Sequence, residues 1–281
     1  MEFALATAEI EEDETLAPLV ASAVDLGVRW VDLLYPRNTE TEGLSKTIDR
    51  LAEADLRVSA IGTPTRLGGE DASADQELLV KAIRIAADLD CPFVNTYFGT
   101  RSVVDDSVAI KEYRHNLLPC LEVAEDLGVT ITLENEFDAL GADPGGSDLT
   151  RRPESVRQLM EAVDSERFRL AFDPCNAHFA GVESFPGYYD AVEPFIGYLH
   201  VKDGHREIGD GDPRWKPYSD HGRDYRTCEL GAGVVNWSGL LSRLIGGGYD
   251  GFVLLEPHAV PAHRAAAWRQ AHDFLTGTAR R

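Results

Sequence analysis

Short apolar runs alternate with longer amphipathic segments along the chain. The runs are nearly continuous, which is typical of strands buried on both faces. Between them, segments such as Asp75–Leu89 and Asp106–Leu127 repeat apolar residues at helical spacing, and Gly128 is a typical helix end. The pattern predicts eight strands, at Phe3–Ala6, Trp30–Leu34, Arg57–Ile61, Phe93–Tyr97, Thr130–Leu133, Arg169–Phe172, Gly197–Val201 and Phe252–Leu255.

Eight strand–helix units in succession predict an α/β fold, the (β/α)8 TIM barrel, in which eight parallel strands close into a ring. No linker or low-complexity run divides the sequence, so we predict a single domain over residues 1–281. A doubly wound sheet is the alternative, but no glycine-rich phosphate loop follows the first strand.

Four consecutive predicted strands end in a residue that can bind a metal ion: Glu134, Asp173, His200 and Glu256. Singly each carries little weight, and a lone histidine is more often a hydrogen-bonded core residue. Together they favour a metal site, because the carboxyl ends of barrel strands meet at one face. Three carboxylates and an imidazole suit one divalent ion, with Mn²⁺ favoured and Mg²⁺, Co²⁺ or Zn²⁺ as alternatives.

A divalent ion with two open positions could bind two adjacent substrate oxygens and acidify the proton next to a carbonyl. One carboxylate could then remove this proton and another return it. Glu134 and Glu256 are the candidates for these catalytic roles, which would proceed through a metal-stabilised enediolate.

Three further residues are candidate substrate contacts, each with a plainer alternative. Lys202 follows the histidine ligand and could instead form a surface ion pair. His258, two residues after Glu256, could simply face solvent. Tyr97 offers a ring for stacking on a substrate, although aromatic residues at strand ends more often belong to the core.

The connection at residues 204–236 is unusually long and follows the seventh predicted strand. Connections of this length usually serve a function or are disordered. It is rich in arginine, lysine and histidine in a chain poor in cations, so it could be a lid over a polar or anionic substrate. A surface excursion or a contact in a homo-oligomer is the alternative. Its side chains of this kind include Arg206, Arg214, Lys216, His221, Arg223 and Arg226.

The charge of the chain is strongly negative, at −21, and only five of its 27 basic residues are lysine. Such a composition indicates a halophilic protein, adapted to high salt, with an acidic mesophilic protein as the alternative. It disfavours binding to nucleic acid or to anionic membranes.

Nothing in the sequence indicates a membrane span or a secretory signal, because long apolar stretches are absent and the N-terminal segment is acidic. The four cysteines show neither C-x-x-C pairing nor zinc-site spacing, as expected in the reducing cytoplasm.

The segments LENE, DPCNAH, YLHVKDGHR and LGAGVVNWSGLLSRLIGGGYDGFVLLEPH resemble the xylose-isomerase-like superfamily of sugar-phosphate isomerases and epimerases. The resemblance covers nearly the whole chain, and its specific motifs lie between residues 131 and 258. It implies a barrel with one divalent metal, bound by the four predicted ligands, whose first and last glutamates exchange the proton. It also implies substrate contacts by Arg206, by Asn176 at a place often held by histidine, and by the nearby His178.

The substrate implied is a small sugar, sugar phosphate or keto-polyol, isomerised or epimerised. Ketose epimerases carry a second glutamate where this chain has Leu140, so a dehydratase of the inosose or dehydroshikimate type is the alternative. An apurinic-site endonuclease-like phosphodiesterase ranks third, because its early-strand histidines are missing before His115. A non-catalytic barrel is disfavoured, since buried carboxylates are costly without an ion.

Overall fold

A computed structural model describes residues 1–12, 14–40, 42–69, 71–102, 105–137, 146–207 and 211–278. It contains strands β1 (Glu2–Leu5), β2 (Trp30–Leu34), β3 (Arg57–Arg66), β4 (Phe93–Tyr97), β5 (Thr100–Ser102), β6 (Thr130–Glu134), β7 (Gly146–Asp148), β8 (Phe168–Phe172), β9 (Ile196–Val201), β10 (Asp203–Arg206), β11 (Pro217–Asp220), β12 (Arg223–Cys228) and β13 (Phe252–Leu255).

The helices are α1 (Ala17–Leu26), α2 (Arg37–Glu40), α3 (Leu44–Glu53), α4 (Ser73–Asp88), α5 (Asp106–Leu127), α6 (Pro153–Val163), α7 (Pro174–Phe179), α8 (Tyr189–Val192), α9 (Trp237–Gly246) and α10 (Arg264–Thr278). Short 3-10 or π turns lie at Thr7–Glu9, Leu149–Arg151, Ser184–Tyr188 and Glu193–Phe195. No helix in the described part of the chain has the length and apolarity needed to cross a bilayer.

Eight strands form a closed parallel barrel in the order β1, β13, β9, β8, β6, β4, β3 and β2. These are the eight strands that the apolar pattern predicts, so the (β/α)8 prediction is confirmed. Contacts between Cα atoms group the chain into two compact units, which are Met1–Ser59 with Leu199–Arg281, and Ala60–Tyr198. That residues 1–281 form one domain stays a prediction.

In the first unit, β1 pairs in parallel with both β2 and β13. Helices α1 and α10 pack together, and Trp237 and Trp268 are among the largest fully buried side chains. In the second unit, β3, β4, β6 and β8 pair in parallel in that order. Helix α5 begins after Asp105, whose carboxylate accepts from Ser107 N, and ends at Gly128 with φ of 71°.

Much of the connection at 204–236 forms β-strands, which corrects the expectation of a loop. Strands β10, β12 and β11 form an antiparallel sheet in that order. Between β11 and β12, His221 and Gly222 both have positive φ, at 46° and 76°. Two such residues make the tight turn whose twist suits a hairpin. His-Gly is a weaker sequence signal for this turn than Asn-Gly or Asp-Gly, and the hairpin was therefore not predicted.

Candidate metal centre

The four predicted ligands lie at or next to the carboxyl ends of barrel strands. Glu134 is the last residue of β6, Asp173 follows β8, His200 is the penultimate residue of β9, and Glu256 follows β13. All four are buried. One ligand atom from each residue lies within 4.8 Å of those of the other three. The apolar strands therefore bring together three carboxylates and an imidazole, as the sequence pattern predicts.

Two asparagine side chains orient the Glu134 carboxylate. Asn95 Nδ2 donates to Oε2 at 2.9 Å, and Asn176 Nδ2 donates to Oε1 at 3.2 Å. Thr132 Oγ1 donates to Asn95 Oδ1 at 3.0 Å, which sets the orientation of that amide. Because amide N–H groups face both oxygens, the carboxylate is held in one orientation.

Asp173 is held by the start of α7 and by its neighbour from β6. Its Oδ1 accepts from Cys175 N and Asn176 N at 2.8 and 2.9 Å, so Asp173 is the N-cap of α7. The Asn135 side chain forms two 2.8 Å hydrogen bonds with the Asp173 main chain, donating to its carbonyl and accepting from its N–H. Asn135 thereby fixes the main chain from which the Asp173 carboxylate projects.

Three nitrogen-bearing side chains face the Glu256 carboxylate. His200 Nδ1 and Lys202 Nζ lie 3.4 and 3.9 Å from Oε2, and His258 Nε2 lies 3.1 Å from Oε1. Burial by itself raises the pKa of Glu256, but His258, Lys202 and His200 together lower it well below the ordinary value. Glu256 is therefore an ionised carboxylate.

A second buried carboxyl, Asp32 in β2, lies in the electrostatic environment of Glu256 and His200. Thr7 donates to its Oδ1 from both N and Oγ1, at 2.5 and 3.0 Å. Burial raises the pKa of Asp32 to about 7, with a further contribution from the negative charge of Glu256, although the hydrogen bonds from Thr7 oppose the shift. Asp32 is thus a buried carboxyl whose pKa lies near neutrality.

The four ligands fit a divalent metal ion chemically. Carboxylate oxygens are hard ligands, and one imidazole extends the range from Mg²⁺ to Mn²⁺, Co²⁺ and Zn²⁺. Three buried carboxylates within 4.8 Å of one another repel, and a cation removes this cost. The set can therefore hold a divalent metal.

The predicted substrate contacts lie in different surroundings. Asn176 is fully buried, and Lys202 is 3% exposed. Tyr97, the last residue of β4, and His178 in α7 are partly buried, whereas Arg206 in β10 is exposed. Both ring nitrogens of His258 face protein atoms, Nε2 towards Glu256 and Nδ1 towards the Tyr218 hydroxyl.

Several residues that shape the site were not predicted. Asp32 and Asn95 lie in the middle of β2 and β4, and a polar residue inside an apolar run is the signal that could have identified them. Asn135 follows directly after Glu134, but its partner is 38 residues away along the chain. Tyr218 carries no local signal, because its contact depends on the hairpin that the sequence pattern did not predict.

The fold and the site together define a parallel eight-stranded barrel with an acidic candidate metal centre. Residues 20–278 match the family described as xylose isomerase-like TIM barrel. The chain belongs to this family, which confirms the resemblance seen in its motifs. Members and structural neighbours of this family are enzymes, among them epimerases, isomerases and a dehydratase.

Three sequence relatives show the range of similarity. A putative hydroxypyruvate isomerase of Streptomyces coelicolor is 24% identical over 277 residues, which cover 93% of this chain and 90% of that protein. A probable endonuclease 4 of Staphylococcus carnosus is 32% identical over 31% of this chain and 33% of its own length. The uncharacterized protein MJ1311 of Methanocaldococcus jannaschii is 28% identical, and the match spans 48% of this chain and only 39% of that protein.

Solved structures share the fold over the full length of the chain. A D-tagatose 3-epimerase-like protein has a TM-score of 0.74 at 18% identity, covering 100% of this chain and 97% of its own. The probable 3-DHS dehydratase AsbF of Bacillus anthracis has a TM-score of 0.73 at 16% identity, covering 98% and 99%. A xylose isomerase-like barrel of Mycobacterium smegmatis in complex with magnesium has a TM-score of 0.71 at 17% identity, covering 99% and 97%.

Proposed function

We propose that this protein is a divalent-metal-dependent isomerase or epimerase of a small carbohydrate, such as a sugar, a sugar phosphate or a keto-polyol. The observation that carries the proposal is the set of four buried ligands within 4.8 Å at the strand ends. Relatives and neighbours named as a hydroxypyruvate isomerase and a tagatose 3-epimerase-like protein support the same reaction class.

Glu134, Asp173, His200 and Glu256 would hold the metal. When bound, the metal polarises a substrate carbonyl and stabilises the negative charge that develops when the adjacent proton leaves. Mn²⁺ is our proposed ion, because the imidazole favours it over Mg²⁺; the Mycobacterium smegmatis relative contains magnesium.

Glu134 and Glu256 would move the proton. Both are buried and both are held in place, Glu134 by two amides and Glu256 by the nitrogens around it. A carboxylate that removes a proton from carbon on one side, and a second that delivers one on the other side, invert that carbon. Return of the proton to a neighbouring carbon gives isomerisation instead.

Asn176 and Lys202 would orient the substrate. Asn176 Oδ1 is buried and has no hydrogen-bond partner among the described residues, because its amide nitrogen faces Glu134 and Asn135. A buried acceptor of this kind suits a substrate hydroxyl. Lys202, beside Glu256, would stabilise an anionic substrate oxygen, and Tyr97, His178, Arg206 and His258 remain candidate contacts.

Proton exchange tests the proposal directly. Metal-free protein is loaded with Mn²⁺ and incubated in D₂O with a panel of ketoses, ketose phosphates and keto-polyols. We expect deuterium at the carbon next to the carbonyl of at least one substrate, detected by NMR, and none without metal. Absence of exchange across the panel, with metal shown to be bound, would exclude proton transfer and leave a binding function.

Two isosteric variants test the proton carriers. We expect Glu134→Gln and Glu256→Gln each to lower turnover by at least about 100-fold, because an amide cannot exchange the proton. Thermal unfolding should change little in comparison. Glu122→Gln, an exposed glutamate of α5, is the control and should retain wild-type turnover. Full activity in either site variant would contradict both roles.

A dehydratase is the second candidate. The sequence has Leu140 where ketose epimerases carry a second glutamate, and Leu140 lies outside the described residues. The first step, removal of a proton next to a carbonyl, is shared, and the reactions diverge when a β-hydroxyl leaves. Appearance of an enone absorbance in the same panel would identify the dehydratase, whereas a changed sugar without loss of water would identify the isomerase or epimerase.

A further inference from the structure

His258 has a backbone conformation that its neighbours hold in place. Its φ is +53°, in the left-handed region that non-glycine residues rarely adopt. Glu9, fully buried, accepts from His258 N and Ala259 N at 2.5 and 3.1 Å. On the other side, Lys216 N and Thr227 Oγ1 donate to the His258 carbonyl at 3.0 and 2.8 Å. The main chain of His258 is therefore fixed from both sides.

The side chain of His258 connects two groups. Its Nε2 lies 3.1 Å from Glu256 Oε1, and its Nδ1 forms a hydrogen bond with the hydroxyl of Tyr218 in β11. Nδ1 is thus occupied by protein, whereas Nε2 makes no hydrogen bond among the described residues but faces a carboxylate, the kind of group to which an imidazole N–H donates. This geometry argues for a role between Tyr218 and Glu256 rather than for a direct substrate contact.

We propose that Tyr218 and His258 are a positioning pair for Glu256. The Tyr218 hydroxyl donates to Nδ1, which leaves the ring N–H on Nε2, facing Glu256. Nε2 then donates to Glu256 Oε1 and holds the carboxylate in its metal-binding orientation. The proposal deepens the proposed function, on which it rests for the metal, and it gives the β11–β12 hairpin a role in the site.

The tautomer of His258 can be measured without metal or activity. We expect the ¹⁵N spectrum of metal-free protein labelled at histidine to show the His258 ring proton on Nε2, with the signal assigned by its absence from His258→Asn. In Tyr218→Phe the same ring should become a mixture of tautomers. Asn tolerates the left-handed backbone, so His258→Asn should fold, which circular dichroism checks.

Metal affinity gives the second readout. By calorimetry, we expect His258→Asn to bind Mn²⁺ about 10- to 100-fold more weakly than wild type, and Tyr218→Phe to show a smaller loss. The matched controls are His205→Asn, an exposed histidine of β10, and Tyr225→Phe, the cross-strand partner of Tyr218. Both controls should bind Mn²⁺ as wild type does.

Three results would overturn the pairing: a proton on Nδ1, a ring spectrum unchanged by Tyr218→Phe, or wild-type Mn²⁺ affinity in His258→Asn. Failure of the proposed function is a separate result. If the wild-type protein binds Mn²⁺ but exchanges no substrate proton, the affinity test still decides the pairing. If it binds no Mn²⁺, the metal assignment fails, and the tautomer in the metal-free protein decides whether Tyr218 and His258 act on Glu256.

Discussion

Asp32 makes the stability of the metal-free protein depend on pH near neutrality. An aspartate in an unfolded chain ionises near pH 3.8, whereas Asp32 in the folded protein ionises near pH 7. Between these values the folded state binds the extra proton. The stability associated with Asp32 is therefore full below pH 3.8 and is lost as the pH rises through about 7.

Asp32→Asn should remove this loss while keeping Oδ1 as an acceptor for Thr7. We expect the free energy of unfolding of the metal-free variant to gain up to about 4 kcal/mol over that of wild type between pH 3.8 and pH 8. Urea unfolding across this range measures it. The control is Asp126→Asn, an exposed aspartate of α5. A difference that does not vary with pH would show that Asp32 ionises normally.

At the same scale, the sequence predicts ligands better than the residues that hold them. Glu134, Asp173 and Glu256 are polar residues at the ends of apolar strands, which is a local pattern. Their supports depend on distant pairings, for example Asn95 with Glu134 and Glu9 with the N–H of His258, 39 and 249 residues apart. No periodicity in the sequence encodes such partners.

Among the elements, the loop before α9 is folded around one carboxylate. Asp203 accepts backbone N–H groups from Gly204, Gly231, Gly233 and Val235 at 2.9 to 3.2 Å. Burial raises the pKa of Asp203, and these hydrogen bonds oppose the shift. Asp203 is therefore a buried anchor of this loop.

Gly233→Ala should break this anchor. A Cβ at position 233 would lie 2.0 Å from Asp203 Oδ1 and 2.6 Å from the Gly204 carbonyl oxygen. Because the backbone must move and hydrogen bonds to a buried carboxylate are lost, we expect a loss of about 1–3 kcal/mol in the free energy of unfolding. Gly246→Ala, where a Cβ meets no atom within 4 Å, is the control. Equal stability of the two variants would contradict the anchor.

The barrel strands were predictable and the hairpin was not, for a physical reason. Strands buried on both faces are marked by continuous apolar runs, and the predicted Trp30–Leu34, Phe93–Tyr97 and Phe252–Leu255 agree with the observed bounds. Strands β11 and β12 together contain arginine and aspartate, and each strand has both exposed and buried positions. These antiparallel strands are short and only some of their residues are buried, so their sequence resembles a polar loop.

For the whole molecule, a small part of the large negative charge is buried in the candidate metal centre. The chain carries a net charge of −21, and three of its carboxylates are buried side by side. A divalent ion that binds the folded state and not the unfolded chain stabilises it by mass action, by about 2.7 kcal/mol at one hundred times the dissociation constant. The folded protein should therefore unfold at a higher temperature with Mn²⁺ present.

Asp173→Asn separates this effect from the structural role of the same residue. Asparagine caps a helix as well as aspartate does, so α7 should keep its N-cap, while one anionic ligand is lost. We expect the metal-free variant to unfold at or above the wild-type temperature, because repulsion among buried carboxylates falls, and the upward shift caused by Mn²⁺ to shrink by more than half. Differential scanning calorimetry with excess chelator measures the metal-free unfolding temperature. A second scan with Mn²⁺ and no chelator measures the Mn²⁺ shift. A Mn²⁺ shift that stays at the wild-type value would place the ion elsewhere on this acidic protein, whereas a lower metal-free unfolding temperature would mean that the Asp173 carboxylate stabilises the fold without any cation.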